Sequence, residues 1–222
     1  MSGKKPTVRR LSGAVRREAI LQAAAFVFAE RGFAGATTQA IAGRANISEA
    51  LLYRHFESKQ ALYRAVLRDL MRKQDSQVRE QAAATETHDL VFQIRAYLAG
   101  NLAMRDGGEM ATTHRVMMTS LVGDGRYARI IYRRALGMQR SAFVAALTKL
   151  QAERGIPEDR LDPTNAFIFI EHVGSMLALG RLPARQIVPY AGDDAALLEQ
   201  AVLFCVRGLG LPGDLVGRPG EV

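Results

Sequence analysis

Apolar residues recur at spacings of three and four along almost the whole chain, and the alternation expected of strands is scarce. Residues 15–31 place Ile20, Ala24, Val27 and Phe28 on one face, and Gly32 ends that helix. Thr37 and Thr38 then supply an N-cap for a short helix through about Ala45, and Asn46 follows at a turn. Ser48 caps a third helix to about Phe56. Ser58 caps a fourth, longer one that keeps Leu62, Val66 and Leu70 on one side and turns wholly polar after Met71. Further helices are predicted over 86–104, 109–122, 125–154, 164–181 and 194–209. The separators RDGGE, GDG, GIPEDRLDP and RLPARQIVPYAGDD are rich in Gly, Pro and Asp. Residues 1–14 have no apolar period and read as a flexible basic arm, and 211–222 as a frayed tail. The expected fold is all-α, with a three-helix unit over 15–64 followed by a larger helical bundle over 65–210.

The segment NISEALLYRHFESKQAL, residues 46–62, carries little apolar surface for four turns of chain. On a helical wheel Leu52 and Phe56 fall together and face a small core with Ile41, Ala42 and Ile47. Ala50, Leu51, Arg54 and His55 cluster on the other side. A short helix, a turn and a helix with an exposed basic face make a helix-turn-helix arrangement. Asn46 suits a left-handed turn, for which it is the next choice after Gly. Lys59 lies in the first turn of a helix, where the macrodipole disfavours a cation, so a phosphate partner is expected there.

Charge sharpens this picture. Residues 1–64 contain eleven Lys or Arg and four acids, which accounts for nearly all of the chain's net +8. Basic charge segregated at one end points to a polyanion, with nucleic acid ahead of membrane. The 48% hydrophobic and 23% charged composition is that of a globular protein. Cys205 is the single cysteine, which suits a reducing compartment. With no signal-like or membrane-length apolar run, the expected location is cytoplasmic.

The run TTQAIAGRANISEALLYRHFESKQAL, with its LYxxFxxKxxL core, resembles the DNA-binding domain of TetR-type (TetR/AcrR) transcriptional regulators over about residues 14–64. Asn46 stands where Gly is commoner. The resemblance implies Thr38, Gln39, Tyr53, His55 and Lys59 as phosphate contacts, with Ser48, Glu49, Ala50, Leu51 and Arg54 facing or bordering the bases. In that role Arg54 would read guanine bidentately and Leu51 would meet a thymine methyl, while Glu49 would orient Arg54 or accept from cytosine. The arm MSGKKPTVRR would attract phosphates or enter the minor groove. The resemblance further implies a homodimer on a palindromic operator of double-stranded DNA, repression, and release by a small apolar or amphipathic ligand.

In the bundle, helix 164–181 is apolar nearly all round, and AALLEQAVLFCVRGLG has the same character. Two such helices from each subunit would close a four-helix interface, with Phe167, Ile170, Gly174, Ala178 and Leu203 as its residues. Five of the eight methionines fall between Met104 and Met138. They mark a candidate ligand pocket of Met104, His114, Met117, Met118, Tyr132, Phe143 and His172, to which Arg115 and Glu171 would add polar contacts. An ordinary core explains the same methionines.

Signals for catalysis are thin. GLGLPG at 208–213 matches GxGxxG in letters, but it follows a helix and contains Pro212, so it reads as a helix stop. HExxH, P-loop and GxSxG motifs are absent, and four isolated histidines with one cysteine make no zinc set. No cofactor, metal or enzyme activity is expected. The alternatives are an architectural DNA-binding protein that senses nothing and, more remotely, an all-α hydrolase or metal enzyme using His114 and the Glu171–His172 pair.

Overall fold

The computed structural model describes residues 12–85, 89–105, 108–157, 161–183, 185 and 187–217, with the backbone alone over 76–85. The arm over 1–11 and the last five residues, 218–222, lie outside the described residues. Among the described residues ten α-helices follow one another: α1 Gly13–Gly35, α2 Thr38–Arg44, α3 Glu49–His55, α4 Lys59–Thr85, α5 Leu90–Leu102, α6 Glu109–Val122, α7 Arg126–Met138, α8 Arg140–Glu153, α9 Pro163–Arg181 and α10 Asp194–Gly208. No strand occurs among the described residues.

The local signals act as their chemistry requires. Thr37, Ser48 and Ser58 accept from the backbone N–H of Ala40, Leu51 and Ala61 at 3.1, 3.2 and 3.1 Å, each satisfying an N–H at a helix start. Asp89, Asp162 and Asp193 cap α5, α9 and α10 in the same way. Gly32 adopts φ 64° and ψ 178°, a conformation nearly exclusive to glycine, and kinks the end of α1.

Two expectations over secondary structure are corrected. The helix expected over 125–154 is two helices, α7 and α8, joined at Gln139, which is non-ideal helical backbone with φ −112°. The tail is ordered as far as Gly217. Leu211 is buried, Gly213–Val216 form a 3₁₀ turn, and Arg95 donates to the Val216 carbonyl at 2.8 Å.

Two large cores result. The first joins Ile20, Val27 and Phe28 of α1, Ile41, Leu52 and Phe56 of the following helices, and Leu62 to Leu70 of α4. It also takes in Val116 of α6 and Tyr127 of α7, so bundle residues complete the core of the N-terminal unit. The second is built by α5, α8, α9 and α10, with Phe143 edge-on to Phe167 at 5.6 Å between centroids. A small third cluster holds Met104, Ala111, Ala178 and Leu182.

Candidate nucleic-acid interface and the bundle behind it

The turn between α2 and α3 is built by three local devices. The Ile47 N–H donates to the Ala42 carbonyl at 3.0 Å, Asn46 takes the left-handed φ of 53°, and Ser48 caps α3. Leu52 is fully buried beneath α3 with Ile41 and Phe56, which leaves the rest of the short helix free to face outward. Gln39, Ser48, Glu49, Ala50, Tyr53 and Arg54 are exposed, while Thr38, Leu51 and His55 are partly so. Tyr53 is 48% exposed, an unusual place for an aromatic ring without an external partner.

Thr38 ties the two helices together. Its hydroxyl donates to Glu49 Oε1 at 2.7 Å and lies 3.4 Å from the Tyr53 hydroxyl. Glu49 therefore orients Thr38 and not Arg54, contrary to the sequence expectation. Among the described residues Arg54 has no acidic partner and stands outward on α3.

Lys59 also has internal work. Its Nζ donates to the carbonyl oxygens of Phe33 and Ala36 at 2.8 Å each and lies 4.6 Å from the centre of the Phe33 ring. The cost of a cation at the start of α4 is thus offset by the carbonyls at the end of α1. A phosphate is not needed to explain its position, and the contact joins helices 23 and 26 residues apart in sequence.

The N-terminal unit is coupled to the bundle on two sides. Thr119 of α6 donates to the Ala29 carbonyl of α1 at 3.0 Å. Lys73 of α4 bridges Asp69 at 3.1 Å, Glu18 of α1 at 3.5 Å and Glu109 of α6. Sequence reasoning missed both links, since side chains so far apart carry no periodic signal.

Of the seven expected pocket residues, Tyr132 and His172 meet through a hydrogen bond of 3.1 Å, and His114 Nε2 reaches the Ser175 carbonyl at 3.2 Å. Three others separate. Met104 packs with Ala178 and Leu182, Met117 against the N-terminal core and Phe143 in the second core. A polar group of Tyr97, His114, Tyr132, Glu171 and Ser175, each partly buried, is spread over α5, α6, α7 and α9. Burial pushes the Glu171 carboxyl up to about 7 and holds the His114 imidazole below its ordinary range. The one acid in the apolar middle of α9 was the sequence signal for this group.

The expected dimer residues differ in exposure. Phe167, Ile170, Gly174 and Ala178 are buried within their own chain. A Cβ at Gly174 would lie 2.5 Å from the Tyr97 ring, so this glycine admits the close approach of α5. The opposite side of α9 is the open one. Phe169 and Met176 are each 54% exposed, and Phe204 on α10 is 69% exposed. Beside them a groove of about 450 Å³ runs along His172, Val173, Tyr190, Leu197 and Gln200. Leu203, partly buried, lines an adjoining depression with Phe204 and Arg207.

Residues 20–66 match the family model described as bacterial regulatory proteins, tetR family. Over that stretch the N-terminal domain is similar to those of the TetR family. Over 58 residues, 26% of this chain, it is 45% identical to the HTH-type transcriptional repressor KstR2 of Mycolicibacterium smegmatis. Over a stretch of the same length and share it is 48% identical to the HTH-type transcriptional activator FasR of that organism. These matches span 28% and 26% of the two relatives' own lengths. The TetR-like fold extends well beyond that stretch. The crystal structure of AibR in complex with isovaleryl coenzyme A and operator DNA superposes over 85% of this chain and 97% of its own, with a TM-score of 0.63 at 20% identity. Among the described residues no helix is long and apolar enough to cross a membrane, and no cluster of metal-ligating side chains occurs.

Proposed function

We propose that the protein is a cytoplasmic, homodimeric, sequence-specific DNA-binding transcriptional regulator whose helical bundle senses a small molecule. The observation that carries this reading is the α2–α3 unit. Its left-handed Asn46 turn and its buried Leu52 hold Gln39, Tyr53 and Arg54 outward on one exposed surface. Arg54 and Leu51 read bases, and Ser48, Glu49 and Ala50 border them. Thr38, Gln39, Tyr53 and His55 meet phosphates, and Lys59 supports that surface by fixing α1 against α4.

The dimer closes through the open faces of α9 and α10. Phe169, Met176 and Phe204 form an apolar patch of the kind that marks an interaction surface. Two-fold symmetry then requires a palindromic operator of double-stranded DNA. Ligand release, and with it repression, is supported by the contacts between α6 and α1 and by the partly buried polar group of the bundle. A repressor and an activator stand equally near over the DNA-binding stretch, so the sign of regulation resides outside it.

Selection of bound sequences from a random duplex pool tests the reading. A palindrome with half-sites about one helical turn apart is expected. Binding without sequence preference would instead show an architectural protein.

A further inference from the structure

We propose that the arginine face formed by α4 and α7 is a second DNA-backbone surface, which holds the duplex flanking the sequence read by α3. The inference rests on the reading of the chain as a DNA-binding regulator and adds a contact from outside the helix-turn-helix unit.

Beyond residue 64 the chain is nearly neutral as a whole, yet residues 126–140, RYARIIYRRALGMQR, carry five arginines and no acid. Arg126, Arg129 and Arg133 fall within about 60° of one another around α7, and all three are exposed. Arg126 has only a long contact to Asp124 at 3.7 Å. Arg129 and Arg133 form no ion pair among the described residues, and neither do the exposed Arg64 and Arg68, one turn apart on α4. Asp75 stands on the same face of α4 as these two and pairs with Arg134 of α7. That bridge sets the two helices side by side with their arginine rows adjoining. Cations of one sign gathered on a surface raise the local potential and draw an anionic partner to it.

The position of the row selects DNA as that partner. The Phe33 ring carries Lys59 Nζ at 4.6 Å and the Arg126 guanidinium at 5.5 Å from its centre. Lys59 also holds the Ala36 carbonyl, and Thr37 and Thr38 follow directly at the start of α2. The arginine face therefore begins beside the helix starts given to phosphates above and continues along α7. From Arg126 to Arg133 is about 10 Å along the helix axis, a length over which one strand of a duplex presents about three phosphates. Guanidinium groups meet phosphate oxygens through paired hydrogen bonds, which suits arginine in these positions. A duplex seated on α3 must bend toward the bundle to reach the face. Backbone contacts of this kind are indifferent to sequence and offset the cost of the bend.

Fluorescence anisotropy of the full chain on two duplexes tests this. One is the selected palindrome alone, and the other adds about one and a half helical turns of random sequence, roughly 15 base pairs, on each side. The flanked duplex is expected to bind about tenfold more tightly at low salt. The double variant Arg129→Gln, Arg133→Gln should lose that gain and flatten the salt dependence on the flanked duplex by about two charges per subunit. It should keep its affinity for the bare palindrome, which shows that it is folded. Hydroxyl-radical footprints should extend past the half-sites with the wild type and stop at them with the variant. Flanks that add nothing to the wild type, or a gain that survives the double variant, overturn the proposal and leave the face to an acidic protein. A chain that selects no palindrome is measured on random duplexes of the same two lengths. If its gain on the longer one vanishes in the double variant, the regulator reading alone fails. A selected palindrome whose flanks contribute nothing sinks this inference alone.

Discussion

The Thr119 hydroxyl on α6 donates to the Ala29 carbonyl on α1 at 3.0 Å, one turn before Gly32 bends the end of α1. A Cβ at Gly32 would lie 3.1 Å from the Thr119 methyl, so the kink and the interdomain contact occupy the same few ångströms. Movement of α6 therefore reaches α1 directly.

Gly32→Ala should destabilise the protein by about 1–3 kcal/mol, because the new side chain meets both a glycine-only backbone conformation and Thr119. Urea unfolding monitored by circular dichroism checks this. An unchanged midpoint would mean that the kink relaxes freely.

Arg54→Ala and Lys59→Ala should separate cleanly. Arg54→Ala should relax preference at one base pair of each half-site at a cost of roughly 1–3 kcal/mol, with no change in folding stability. Lys59→Ala removes charge-assisted hydrogen bonds to Phe33 and Ala36 and should lower folding stability by about 1.5–3 kcal/mol. Binding curves on single-base operator variants, paired with thermal melts, distinguish the two.

Phe204→Asp should yield a folded monomer, since the ring is 69% exposed in the single chain and loses nothing internal. Ala178→Asp should instead unfold the bundle, because it places a charge at a position with no exposure. Sedimentation at micromolar concentration and far-ultraviolet dichroism give the two readings.

Glu171 also predicts a pH dependence. Its folded pKa of about 7 is above the ordinary carboxyl value, so the folded state holds the proton longer than the unfolded chain does. The stability this contributes is full in acid and is lost as pH rises from about 4.5 to about 7. His114, whose pKa is lowered, acts in the opposite sense around its ordinary value. The difference between wild type and Glu171→Gln isolates the carboxyl. The variant should gain on the order of 2 kcal/mol relative to wild type at a pH near 8. Parallel stability curves would mean that the carboxyl is solvated.

Much of the helix-turn-helix unit was legible in the sequence because its determinants are local. A capping serine or threonine, an asparagine at a turn and the alternation of Leu51 and Leu52 act within a few residues. The bundle was less so. A helix that is apolar nearly all round does not say which side meets its own chain, and Gly174 and Ala178 fit an internal crossing as well as an intersubunit one. The break at Gln139 carries no proline and no glycine at the junction itself. The second role of Lys59 depends on carbonyls that only the folded chain brings near.

Tyr127 has no exposure to solvent, and its hydroxyl is the one buried side-chain polar atom without a hydrogen-bond partner among the described residues. It enters the N-terminal core with Val116, in the cluster that also holds Phe28 and Tyr63. The N-terminal unit is therefore not a detachable part. A hybrid regulator made by grafting residues 12–75 onto a foreign bundle would carry an open socket where these two side chains had been. Interchange of heads between related regulators should succeed only when the plug from α6 and α7 travels with them.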